Sequence, residues 1–154
     1  LAYSPDGHWI ATASLGPEQV VHLGDAGTGR QVREPLECDD RIAYVGFSPD
    51  GLRIAIGLRN GSFEVFDTAT GECLGKAMLG HEIYVADTES PADGQRIVSA
   101  GYDSTVQAWD WRHDDRLKNL RAGSLANSVQ FFPGGRYTVN VSNDGEMSLW
   151  DTES

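Results

Sequence analysis

Cysteine is nearly absent from these 154 residues: Cys38 and Cys73 are the only two, and they lack the C-x-x-C spacing of a metal or redox site. No disulfide framework can staple the chain, and two reduced, partly buried thiols in a cytoplasmic protein are expected. Basic side chains are also scarce, 12 Lys and Arg against 23 Asp and Glu, and the net charge of -11 repels polyanions. Neither nucleic acid nor an anionic membrane surface is therefore an expected partner. The sequence has no run of 18 apolar residues and no basic stretch followed by an apolar run and a cleavage site, so it shows no membrane helix and no signal peptide. Its four histidines, His8, His22, His81 and His113, are scattered without the i, i+2 or i, i+4 spacing that would focus them on one ion, so no metal site is expected.

What the chain does have is repetition. Gly24-Asp25, Phe66-Asp67, Trp109-Asp110 and Trp150-Asp151 recur at intervals of 42, 43 and 41 residues, each after a short alternating apolar run. A second marker keeps the same step: Ser4-Pro5-Asp6-Gly7, Ser48-Pro49-Asp50-Gly51, Ser90-Pro91-Ala92-Asp93-Gly94 and Phe132-Pro133-Gly134-Gly135. Two markers in one phase, with a terminal Trp-Asp, are the signature of propeller blades. The repeats fall at approximately 1–25, 26–67, 68–110 and 111–151, the first truncated. The opening on Leu1 and the count of repeats lead us to expect a segment of a longer propeller.

Apolar and polar residues alternate between frequent turn signals, an all-β pattern. In the second repeat the expected strands are Ile42 to Phe47, Arg53 to Leu58, Phe63 to Phe66 and Glu72 to Leu79, with Asn60-Gly61 as a two-residue hairpin turn in which both residues take positive φ. The third repeats the phrase over Ile83 to Thr88, Arg96 to Ala100, Val106 to Trp109 and Arg116 to Leu120. The first runs through Leu1 to Tyr3, Trp9 to Ser14, Val20 to Leu23 and Gln31 to Leu36, and the last ends on its third strand, Met147 to Trp150. Strands this close in sequence pair antiparallel. The fold class is thus all-β, an incomplete arc of about four four-stranded blades, and its open edges invite self-association.

The stretch Gly80-His81, Ser90-Pro91, Ile97-Val98-Ser99-Ala100-Gly101-Tyr102-Asp103-Ser104-Thr105-Val106 and Trp109-Asp110 resembles a nearly complete repeat of the WD-repeat β-propeller family. The resemblance implies that His81, Ser99, Asp103 and Trp109 form a buried hydrogen-bonded set that rigidifies the blade. The other repeats depart from it. The second has Asn60, Ile56 and Phe66 at the Asp, Ser and Trp positions and Cys38 or Asp39 where His would stand, which predicts apolar packing instead. The first keeps Thr12 but has Gly24 for Trp. The fourth keeps Asp144 and Trp150, with Asn140 for Ser and no His.

A Ser, a His and an Asp in one chain raise the hydrolase reading, but nothing in the sequence supplies an exposed nucleophile at a strained turn or an oxyanion hole, so no catalytic residue is assigned. Gly27-Thr28-Gly29-Arg30 superficially resembles a phosphate loop, yet no helix follows it, and it reads as a turn. The acidic run around His113-Asp114-Asp115 reads as a solvated loop. By resemblance, such propellers act as rigid platforms that bind proteins or peptides through one face. The loops of that face carry Asp39, Asp40, Arg41, Arg59, Glu82, Tyr84 and Tyr102, of which the Arg and Tyr side chains are the favoured anchor types. The expected function is a non-catalytic interaction scaffold without a cofactor. The alternative is a regulatory or sensor propeller attached to a signalling enzyme such as an ATPase or kinase.

Overall fold

A computed structural model describes residues 1–14, 16–91, 96–110 and 115–152. Among them there is no helix, and fifteen strands form four antiparallel sheets. The first blade holds β1 (Ala2–Tyr3), β2 (Trp9–Ala13), β3 (Val20–Asp25) and β4 (Leu36–Glu37). The second holds β5 (Ile42–Phe47), β6 (Arg53–Leu58), β7 (Ser62–Asp67) and β8 (Cys73–Leu79). The third holds β9 (Val85–Glu89), β10 (Ile97–Gly101), β11 (Thr105–Asp110) and β12 (Asp115–Arg121). The fourth has three strands, β13 (Ala126–Phe131), β14 (Tyr137–Ser142) and β15 (Met147–Asp151). Every sheet is a meander in chain order, and β5, β9 and β13 are the edge strands that touch one another from blade to blade.

The two sequence markers are turn devices. In the first blade Ser4 Oγ donates to Asp6 Oδ1 at 2.5 Å and accepts from the Trp9 N–H at 2.9 Å, and the second blade repeats this with Ser48, Asp50 and Arg53 at 2.5 and 3.0 Å. In the first two blades the Asp that closes the third strand then caps the next turn: Asp25 and Asp67 accept the Thr28 and Thr70 N–H groups at 2.7 Å. The Thr28 hydroxyl and then its N–H hold the Asp25 carboxyl below the ordinary 3.8, and the Thr70 N–H and hydroxyl do the same for Asp67. Gly27-Thr28-Gly29-Arg30 is this turn, with Gly29 at φ 68°.

Three expectations need correction. Gln31 to Leu36 is not a continuous strand: Gln31 makes an isolated bridge to Gly24, and pairing resumes only at Leu36. Pro35 lies between, with no N–H to donate and with a constraint on the residue before it. The first strand of the third blade starts at Val85, not Ile83. The Asn60-Gly61 turn is also of another type, because Gly61 alone has positive φ, 85°. The Gly61 N–H bonds the Leu58 carbonyl at 3.3 Å, a three-residue loop ending in a left-handed glycine. Ala92, Asp93, Gly94, His113 and Asp114 lie outside the described residues, and Asp115 opens β12.

The register sorts every blade into two faces. Ile54 pairs with Phe66 and Ile97 with Trp109 on the face that receives the preceding blade. Ala55 pairs with Val65, and Val98 with Ala108, on the face that packs the next one. Ala55, Phe63 and Val65 accordingly cluster with Ile97 and Trp109, and the Phe63 and Trp109 rings meet edge-on at 5.1 Å. Val98, Ala100, Val106 and Ala108 cluster with Ala122, Ala126 and Val129 of the following blade. Each Val, Ile or Phe side chain among them taken from water contributes about 1.5–3 kcal/mol, so the contacts between blades carry the core.

Candidate functional site

The third blade assembles its polar set from a loop and two strands. Ser99 lies on β10 and Trp109 on β11, while His81 precedes β9 and Asp103 sits in the β10–β11 turn. His81 Nε2 lies 2.7 Å from Ser99 Oγ, which also accepts the Trp109 indole N–H at 3.1 Å. His81 Nδ1 lies 3.0 Å from Asp103 Oδ1. An ionised carboxylate can only accept, so Nδ1 carries a proton, and the Ser99 hydroxyl can donate to Nε2. Burial works to raise the Asp103 carboxyl, but hydrogen bonds from Thr105, the Glu82 N–H and His81 outweigh it and hold it below 3.8. Two members were not legible beforehand. Thr105 Oγ1 donates to Asp103 at 2.7 Å, and Gln107 Nε2 donates to the Gly80 carbonyl at 2.6 Å.

The Ser99-His81-Asp103 distances match those of a hydrolytic triad, but the surroundings do not. Ser99 is 0% exposed and His81 5%, and the serine oxygen is engaged by both the imidazole and the indole. A nucleophile needs room for a substrate carbonyl beside it, and this one is walled in.

In the second blade Ile56 and Phe66 are buried in one cluster with Cys38, which stands at the position of His81. Asn60 Oδ1 still accepts the Ser62 N–H and hydroxyl at 3.0 and 2.6 Å, the same local bonds that Asp103 makes to Thr105. A buried acid, Glu64, occupies the place of Gln107 and accepts the Asp39 N–H at 3.2 Å. Burial first, and the Glu64 carboxylate second, push the Cys38 thiol up to about 12. In the fourth blade the Trp150 indole N–H donates to Asn140 Oδ1 at 2.7 Å, while Asn140 Nδ2, buried, has no partner among the described residues.

The seven face residues divide. Arg59, Tyr84 and Tyr102 line one cleft of about 390 Å³ together with Ala43, Asn127 and Asn143. The two tyrosine rings lie 4.4 Å apart, and Asn127 donates to Asn143 at 2.9 Å. Equivalent backbone bonds build it: the Arg59, Tyr102 and Asn143 N–H groups donate to the Arg41, Tyr84 and Leu125 carbonyls. Arg59, Tyr102 and Asn143 are thus the same turn position in three successive blades, which explains their convergence. Glu82 lies elsewhere, in a larger polar cleft with Asp103, Asn119 and Arg121. Asp39, Asp40 and Arg41 form the loop before β5 and do not line the tyrosine cleft.

A polar belt along the inner strands went unread in the sequence. Tyr44, Asp87 and Ser128 share one register position, opposite Gly57, Ala100 and Val141. Asp87 lies beside the Tyr44 hydroxyl and accepts the Ser128 hydroxyl at 2.8 Å and the Val129 N–H at 3.1 Å. Glu89 accepts the Phe131 N–H at 3.1 Å. Burial raises the Tyr44 hydroxyl and the Glu89 carboxyl alike. Acids that no motif marks stitch the third blade to the fourth.

Residues 71–110 match the family described as WD domain, G-beta repeat. Over 114 residues, 74% of it, the chain is 30% identical to U3 small nucleolar RNA-associated protein 12 of Saccharomyces cerevisiae. It is 29% identical over 127 residues to the nuclear distribution protein nudF of Aspergillus flavus, and 30% identical over 116 residues to the small ribosomal subunit protein RACK1 of Glycine max. It spans only 12%, 27% and 35% of those three proteins. Among solved structures, U3-55K superposes with a TM-score of 0.84 at 16% identity, over 97% of this chain and 47% of that one. With the repeat markers, the meander blades and the third-blade polar set already in place, these likenesses establish that the chain belongs to the WD-repeat β-propeller family.

Proposed function

We propose that this chain is a non-catalytic protein-binding module, cytoplasmic, whose partner seats a peptide segment in the cleft lined by Arg59, Tyr84 and Tyr102. The observation that carries the reading is the convergence of one turn position from three successive blades on a single concavity of about 390 Å³. The likeness to WD-repeat proteins, as a family of interaction scaffolds, supports it. The chemistry of the cleft names the guest: an exposed guanidinium for a carboxylate, a tilted tyrosine pair for an apolar or aromatic side chain, and two amides for peptide groups. The buried Ser99-His81-Asp103 set serves the rigidity of the platform. The two free thiols support the cytoplasmic setting.

Selection of peptides from a random display library on the purified chain tests this. Enriched peptides should carry an acidic residue near an aromatic one, and fluorescence anisotropy should show binding weakened at least tenfold by Arg59→Glu or by Tyr102→Ala. Peptides that bind equally well to both variants would place the guest elsewhere.

A further inference from the structure

The polar cleft that holds Glu82 measures about 780 Å³ and shares no residue with the tyrosine cleft. Its walls come from the third blade and the loops on either side of it, away from both ends of the arc. Glu82 enters from the loop before β9, Ser104 from the β10–β11 turn, and Asn119 and Arg121 from β12, the outer strand. Glu82, Asn119 and Arg121 are exposed and Ser104 is half-buried. None of these four side chains makes a hydrogen bond or ion pair among the described residues. Asp103 beside them is fully engaged, Oδ1 by His81 and Thr105 and Oδ2 by the Glu82 N–H. The buried Gln107 amide, bonded through its nitrogen to the Gly80 carbonyl on the cleft wall, leaves its oxygen without a partner among the described residues as well.

The neighbouring blades do not repeat the set. At the equivalent positions the second blade has Asp39, Gly61 and Leu79 for Glu82, Ser104 and Arg121, and the fourth has Gly123 and Gly145 for the first two. Ser104 takes, at φ 64°, the left-handed conformation that both turn glycines adopt without a Cβ. A hydroxyl is thus kept on the cleft wall where glycine would fold more easily, and backbone outliers of this kind gather at binding sites. The mixed charges narrow the guest. Glu82 and Asp103 repel a lone anion, and Arg121 repels a lone cation. A guest with both charges is held at each end, and a cavity in the upper part of the range for small-ligand sites has room for several residues of an extended chain. The Ser104 hydroxyl and the Asn119 amide can both donate and accept, which suits main-chain peptide groups. We infer that this cleft is a second peptide site, which seats a partner segment bearing a Lys or Arg and an Asp or Glu a few residues apart, the base on Glu82 and the acid on Arg121. It stands independently of the guest of the tyrosine cleft.

Fluorescence anisotropy of the 154-residue chain tests the site with capped, rhodamine-labelled Gly-Ser peptides in which one Arg and one Glu are separated by one to five residues, in both orders. Analogues with two Arg or two Glu serve as references. The tightest mixed-charge peptide should bind at least tenfold better than either analogue, and more weakly as salt is raised. Arg121→Glu, at an exposed position, should weaken it at least tenfold and make the two-Arg peptide the preferred one, a switch that loss of folding cannot mimic. Ser104→Gly should weaken binding a few-fold while the chain loses no stability. Arg59→Glu, in the tyrosine cleft, should leave binding unchanged, so failure of this site and failure of that one are told apart. Mixed-charge peptides that bind no better than the analogues would overturn the inference. So would binding that survives Arg121→Glu, or binding that Arg59→Glu abolishes.

Discussion

The second and third blades share a backbone and divide over chemistry. Their turns before the third strand make the same local bonds, with Asn60 to Ser62 in one and Asp103 to Thr105 in the other. Beneath those turns the third blade buries His81, Ser99, Gln107 and Trp109, whereas the second buries Cys38, Ile56, Glu64 and Phe66. Even the N–H that follows the His or Cys position is satisfied in both, by Asp103 for Glu82 and by Glu64 for Asp39. What must be preserved is the accounting of buried backbone groups, and the identity of the side chain that closes it is open to exchange.

The sharpest break in the comparison is to remove the residue before each blade. His81→Ala would leave the Ser99 hydroxyl without its acceptor and take one donor from Asp103 in a buried site, and it should cost about 3 kcal/mol of unfolding free energy. Cys38→Ala at the equivalent position removes one sulfur from an apolar cluster and should cost about 1 kcal/mol. Urea denaturation monitored by tryptophan fluorescence would report both. Equal losses would mean that the polar set carries no more than ordinary packing.

A gentler change acts through pH. The Asp103 carboxyl is held below its ordinary 3.8 in the folded chain by bonds that the unfolded chain lacks. Its contribution is therefore fully present above that ordinary value and is lost as pH falls through the depressed one. Asp103→Asn should flatten that part of the acid limb of the stability curve, at a cost near neutral pH of roughly 1–2 kcal/mol. Asn60→Ala in the second blade should leave the acid limb's slope unchanged, because no charge is involved there. Denaturant midpoints between pH 3 and 7 would separate the two, and parallel acid limbs for the parent and Asp103→Asn would refute the assignment.

Fold and site differed in how far they could be read in advance. The Ser-Pro-Asp-Gly and Trp-Asp markers place β5 and β6 to the residue, because each marker is a local hydrogen-bonded turn whose partners lie within a few positions. Pro35 was in plain view, yet the alternation of Gln31 to Leu36 hid its effect. The belt from Tyr44 through Asp87 to Ser128 was invisible for another reason: its members are about 41 to 43 positions apart and meet only when blades stack. Glu64 reads as one more acid in an acidic chain until the register places it at the Gln107 position. The split of the seven face residues has the same origin, since Arg59 and Tyr102 share a turn position across blades while Glu82 follows His81 in the loop before β9.

The smallest expected effect concerns Ser104, the one non-glycine with positive φ among the described residues, at 64°. The equivalent turns of the second and fourth blades use Gly61 at 85° and Gly145 at 83°. A left-handed conformation costs a residue bearing a Cβ about 1 kcal/mol, so the third blade carries a local strain that its neighbours avoid. Ser104→Gly should release it and raise stability by roughly 0.5 kcal/mol, less than the full strain because glycine also widens the unfolded ensemble. The reverse exchange does not mirror it. A Cβ at Gly61 would run into the His81 carbonyl, whose amide bonds the Gly61 oxygen at 3.2 Å, so Gly61→Ser should be far more damaging than left-handed strain alone predicts. Matched urea titrations of the two variants would measure the asymmetry. A loss for Gly61→Ser no larger than the gain for Ser104→Gly would show that backbone conformation, and not the loop from the next blade pressed against it, fixes the residue in this turn.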